Sequence, residues 1–249
     1  MNRKITLNKA QVNNKTGYRY FNELFMKRHE KLLTKSTKHI TIAMAIFFVA
    51  AVIACKVFPN FNSEVNKNLL NLLPFFLFVM YLINRGKVIT KAMFMNCDHS
   101  MLAYRFYRQP KTIVSLFVER LKYVVLINLM PAGAIAVSLP LLLFISGGTD
   151  QSLNYFILFL SIISMSVFFS VHNIVMYYLF QPYSADIETK STTYGTVNYL
   201  TYFICYLVAR RRDSALVFGT MSTVFCLVYI VVAILLAYRL APKTFRLRK

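Results

Sequence analysis

The sequence predicts an all-α polytopic membrane protein with six crossings, and three observations carry that fold class. The 249 residues are 57% hydrophobic and 15% charged, whereas a soluble domain carries nearer a quarter charged residues. Lys and Arg outnumber Asp and Glu by 29 to 9, a formal charge of +20. Six apolar stretches approach or exceed the roughly 17–25 residues that a helix needs to cross hydrocarbon. Disorder requires far lower hydrophobicity, and 7 Gly with 7 Pro are too few for a collagen-like repeat. A nucleic-acid partner would explain the charge but not the apolar bulk. A membrane protein with its cations on one side explains both.

Residues 1–16 are polar, basic and without periodicity, which predicts a cytoplasmic arm. The next segment, 17–38, reads as an amphipathic helix. Phe21, Leu24, Phe25 and Leu32 recur at helical spacing, with Lys27, Arg28, Lys31 and Lys35 forming a basic face. Such a helix lies on the inner membrane surface or packs on a soluble partner. The remainder, 39–249, is a single transmembrane domain with crossings near 40–58, 69–89, 123–145, 153–180, 196–209 and 215–238. Lys56 is late enough in the first to snorkel. Asn71 and Pro74 begin the second, and Pro131 and Pro140 kink the third. The fifth is thin in apolar length.

The longest connection, 84–122, carries the most information. Asn96 or Asp98 caps a short helix whose apolar teeth are Met101, Leu102, Phe106 and Tyr107, and Pro110 ends it. Thr112 caps a second helix, with Ile113, Leu116, Phe117 and Leu121, that leads into the third crossing. A protruding helix of this kind is either internal packing or a knob for a partner. The other inward loop, 181–195, is locally acidic through Asp186 and Glu188. PNFNSEVNKN and SGGTDQS are brief outer loops, so no extracellular domain is expected.

Charge sets the orientation. Segments 1–39, 84–122, 181–195 and 239–249 hold 10, 8, 1 and 5 of the Lys and Arg residues, which places both termini in the cytoplasm of a cell-membrane protein. The triplet Arg210, Arg211 and Arg212 then falls on the outer side. Either helices five and six form a re-entrant hairpin, or the triplet lies among outer headgroups beside Asp213. The second is favoured because an even number of crossings returns the basic tail to the cytoplasm. The first apolar run follows a long basic arm, so no signal peptide is expected and the first helix is an anchor that stays.

Chemistry is sparse. His29-Glu30 opens like a zinc-protease helix, but Leu33 stands where the second His belongs. There is no Gly-x-Ser-x-Gly elbow and no phosphate-binding GxxxxGK[ST] loop. No Asp or Glu lies within a predicted crossing, which argues against ion coupling. His172, beside Asn173 in the fourth helix, is expected to hydrogen-bond a neighbouring helix. Cys55, Cys97, Cys205 and Cys226 lack metal spacing and read as small buried residues. The chain is therefore expected to be no enzyme, to hold no metal or cofactor, and to take energy from another chain.

A basic amphipathic helix, six crossings with both ends inside, and a helix between crossings two and three together resemble the membrane subunit of ABC-2-type ABC exporters. MFMNCDHSMLAYRFYRQP at 93–110 and YRLAPKTFRLRK at 238–249 look like small Gram-positive permeases, among them exporters of the cytolytic phenol-soluble modulins. The resemblance implies a connecting helix at Phe21, Leu24, Phe25 and Arg28. It also implies an ATPase-coupling helix at Asp98, His99, Ser100, Met101, Tyr104, Arg105 and Arg108, with a second contact at Asp186 and Glu188. The implied partners are separate ABC ATPase subunits that bind ATP and Mg, a second identical or different permease subunit, membrane lipid, and an amphipathic peptide substrate. The same layout would serve a self-protection pump against foreign antimicrobial peptides. A non-transporting scaffold for a cytosolic partner is the alternative from another class. The Arg triplet departs from the sparsely charged outer hairpin of that family.

Overall fold

A computed structural model describes residues 17–184, 191–211 and 214–246. The 1–16 arm, Asp186, Glu188, Arg212 and Asp213 lie outside them. The described chain is nearly all helix: α1 (Gly17–Val57), α2 (Pro59–Asn68), α3 (Leu73–Ile83), α4 (Gly86–Met93), α5 (His99–Met101), α6 (Pro110–Ile145), α7 (Leu153–Phe180), α8 (Thr192–Ala209) and α9 (Ala215–Thr244). Five segments are long and apolar enough to cross a membrane: Leu33–Val57, Leu70–Met101, Pro110–Ile145, Leu153–Phe180 and Ala215–Thr244. The 18-residue α8 is not among them, because tyrosines, threonines and an asparagine dilute its apolar residues.

The boundaries differ from expectation in three places, each for a local reason. The amphipathic segment and the first crossing are one 41-residue helix, about 60 Å long at 1.5 Å per residue. No Gly or Pro interrupts the sequence between Tyr18 and Val57. The outer loop at 59–68 is instead α2. Pro59 occupies its first turn, where a missing N–H leaves no bond unmade and the fixed φ favours the helix. Pro110 likewise opens α6 rather than ending the preceding helix. Thr112 does not cap α6; its hydroxyl donates back to the Phe106 carbonyl at 3.2 Å.

The second crossing is broken between α3 and α4, where Asn84 takes an extended conformation with ψ 127°. Side-chain amides meet the backbone groups that the break frees, as a low-dielectric setting demands. Arg85 N donates to Asn128 Oδ1 at 2.9 Å, and Gly86 N donates to Asn84 Oδ1 at 2.8 Å. Asn173 Nδ2 donates to the same Asn84 oxygen at 3.0 Å, and Asn128 Nδ2 donates to Ser170 Oγ at 3.0 Å. This polar layer joins α3, α6 and α7.

Contacts between helices fix their directions. Arg120 meets Tyr178 while Asn128 meets Ser170, so α6 and α7 are antiparallel. In contrast, α7 and α9 are parallel. Ser161 bonds Gly219 O, His172 bonds Tyr229, and Thr244 bonds Tyr178 O, in rising order along both. The chain between them must therefore run back along their length, and α8 does so. Its Tyr202 and Tyr206 meet Tyr81 and Phe78 of α3 in antiparallel order. The beginning of α1 and the end of α9 lie at one end of the bundle, where Asn22 reaches Arg120 and Phe245 stacks on Tyr178. Two apolar cores follow. One surrounds Phe94, Phe117 and Tyr177 at that end, and the other surrounds Leu73, Leu143 and Ile162 toward the opposite end.

Candidate functional site

The candidate site is the end of the bundle at which the α3–α6 connection protrudes. A π-helical turn, Phe94–Asp98, joins α4 to α5. Phe94, Cys97 and Asp98 share its inward face and are buried, whereas Met95 and Asn96 are exposed. Asp98 thus caps nothing; its side chain makes no cap bond and is directed into the protein. It is 0% exposed, as is Arg120 of α6.

The two form a bidentate ion pair. Arg120 Nη1 reaches Asp98 Oδ2 at 2.6 Å, and Nη2 reaches Oδ1 at 2.7 Å. Two phenols complete the carboxylate: Tyr107 donates to Oδ1 at 2.5 Å and Tyr177 donates to Oδ2. The guanidinium's remaining capacity is also used, by Asn22 Oδ1 at 3.3 Å, the Tyr178 hydroxyl at 3.1 Å, the Tyr107 hydroxyl at 3.1 Å and Cys97 Sγ at 3.7 Å. Charges this deeply buried persist only when hydrogen bonds satisfy both partners, and here every Arg120 N–H faces an acceptor. Burial pushes the Tyr107 phenol well up, with Arg120 opposing and Asp98 adding to the rise. Tyr107 therefore remains a donor throughout the neutral range.

One ion pair consequently holds four pieces of chain: α1 through Asn22, the connection through Asp98 and Tyr107, α6 through Arg120, and α7 through Tyr177 and Tyr178. Phe245, beyond α9, packs edge-on to Tyr177 at 5.2 Å and face-on to Tyr178 at 4.5 Å. The turn that this hub anchors, 102–109, leaves Tyr104 56% exposed, with Arg105, Phe106 and Arg108 also exposed.

The residues singled out in sequence thus separate into two sets. Asp98 is buried and Met101 packs on the core. Ser100 donates to Cys97 O at 3.1 Å, and His99 contacts Phe94 edge-on at 5.6 Å. Tyr104, Arg105 and Arg108 of the set are exposed, as is Ser100. On α1, Phe25 is buried and Phe21 packs beside it, while Leu24 and Arg28 are exposed. Asp186 and Glu188 lie outside the described residues.

Sequence reading missed Arg120, Tyr107, Tyr177, Tyr178 and Asn22 as members of one site. The available signal, for its burial though not for its partner, was the place of Arg120 in the apolar stripe of Ile113, Leu116, Phe117 and Val124. His172 does bond neighbouring helices, to Tyr229 at 2.7 Å and Thr201 at 3.3 Å. All four cysteines are free and buried. No group of metal-ligating side chains occurs among the described residues. No family model, curated protein or solved structure matches the chain.

Proposed function

We propose that the chain is the membrane-spanning permease subunit of an ATP-driven ABC exporter, crossing a cell membrane six times with both ends in the cytoplasm. A separate ATPase supplies the energy, and two permease subunits form the path. The observation that carries this reading is the hub beneath the exposed 102–109 turn. A partner pressing on Tyr104, Arg105 and Arg108 would act on a segment fastened to α1, α6 and α7 by a fully satisfied ion pair. A cycle of ATPase closure can then move those helices as one body, the rigid-body mode common to such switches.

Further support comes from the cations concentrated at the hub's end of the bundle and from the parallel α7 and α9, between which α8 provides a sixth traverse. Amphipathic peptides are the proposed substrates, on the strength of the resemblance of 93–110 and 238–249.

The test is reconstitution. The purified chain, co-expressed with its ATPase and placed in vesicles, is expected to show ATP hydrolysis stimulated by a cationic amphipathic helical peptide. Replacing Tyr104, Arg105 and Arg108 together by Ala should abolish co-purification of the ATPase while leaving the melting temperature unchanged. Retained ATPase binding in that variant would refute the assigned surface. Hydrolysis indifferent to every amphipathic peptide would leave a membrane anchor rather than a transporter.

A further inference from the structure

We infer that the slot between α1, α2, α3 and α6 is a binding site for a membrane lipid with an amine-bearing headgroup. The slot lies at the end of the bundle opposite the hub and encloses about 800 Å³, within the usual range for small-molecule sites. Its wall is apolar, with Phe48 from α1, Phe76 from α3 and Leu139 from α6 among the lining residues. Ser138 also lines it, but its hydroxyl is committed to the Ala134 carbonyl at 2.6 Å. Polar capacity is confined to α2, through Glu64 and Asn68.

Two features select the occupant. The first is depth. The slot follows α1 from Ala43 to Ala51 and α6 from Ile135 to Leu142, about 10–12 Å of helix rise. That approaches the roughly 15 Å of one leaflet's hydrocarbon, so acyl chains entering sideways from the bilayer would fill it without leaving their own leaflet. The second is charge. The Glu64 carboxylate is oriented by the Asn68 amide, which donates to Oε2 at 2.9 Å, and it pairs with no described Lys or Arg. Its free lone pairs accept from an ammonium group, which offers three donors, and repel a head that carries only phosphate. An apolar shaft of leaflet depth with one carboxylate at its polar rim matches a lipid with acyl chains and an amine. The inference needs only that the helices lie in a bilayer, and it is independent of the ATPase reading.

The experiment uses the full chain in detergent. It is exposed to equal amounts of phosphatidylethanolamine and phosphatidylglycerol of identical acyl chains, and retained lipid is counted by native mass spectrometry. Preferential retention of the ethanolamine lipid by about threefold is expected, the size of one ion pair at a solvated rim. Glu64→Gln should remove the preference while leaving total lipid retention intact. Leu139→Trp, or Ala51→Phe should the first not fold, should abolish retention of both lipids. Equal retention of both lipids by the native chain, a preference that survives Glu64→Gln, or retention unchanged by a folded slot-filling variant would each overturn the inference. So would displacement of bound lipid by a cationic amphipathic peptide at equimolar amount, which would assign the slot to peptide.

Discussion

Asp98 and Arg120 show how far a residue's role can depart from its place in the sequence. The region around Asp98 invites reading as an exposed capping residue, and Arg120 counts among the loop cations that set orientation. Their pairing spans a turn and a helix start, so no periodic pattern reveals it; only packing does. Removing one partner leaves the other charged, buried and unmatched. Asp98→Asn or Arg120→Met is expected to destabilise the protein by about 3–5 kcal/mol, read as a fall in melting temperature in detergent. The double replacement Asp98→Leu with Arg120→Met should recover much of that loss, which would distinguish an unpaired charge from lost volume. Tyr107 adds a pH signature. Burial raises its folded value above the ordinary value of about 10, so the unfolded chain releases this proton first. The contribution is complete at neutral pH and below, and declines as pH rises beyond about 10. Tyr107→Phe should lessen the alkaline loss in the stability profile, and a loss undiminished in that variant would disprove the assignment.

Helices were legible where apolar length alone decides them, and less so where a boundary depends on a single residue. The fourth crossing matches α7 at both ends because no Asp, Glu, Lys, Arg, Gly or Pro interrupts it from Leu153 to Phe180. Pro59 and Pro110 were read as loop and terminator, yet each stands in a first turn, since Pro is equally at home there. The close approach of α7 and α9 was not legible either. A Cβ at Gly219 would lie 2.3 Å from Ile157 Cγ2 and 3.0 Å from Ser161 Oγ, so this glycine serves contact rather than turning. Gly219→Leu should therefore force the two helices apart at a cost of about 1–3 kcal/mol, seen as a lower melting temperature. Combining Gly219→Ala with Ile157→Ala should stay closer to the native value, because the second change opens the space that the first requires.

Across the molecule, charge and direction converge on one arrangement. The hub, the start of α1 and the end of α9 share an end rich in cations. Single cysteines placed at Arg105 and Arg246, in a chain with its four native cysteines replaced by Ala, should react with a membrane-impermeant maleimide only after permeabilisation. A cysteine at Asn66 of α2 should react in intact cells. Reaction at Arg105 and Arg246 without permeabilisation would mean the inverted orientation. The weakest link is α8, which carries Tyr194, Tyr199, Tyr202 and Tyr206 within its 18 residues and falls short of the apolar content of the five candidate spans. Its position follows from the parallel course of its neighbours, and that has a consequence for synthesis. A segment this polar gains little by partitioning into lipid alone, so it should fail to insert when presented to the insertion machinery in isolation. Its insertion is expected to be driven by the strongly apolar α9 that follows, so that the two helices enter as a hairpin. Residues 192–244 are then committed to the bilayer as one piece, late in translation, and truncation before Ala215 should leave α8 stranded outside it.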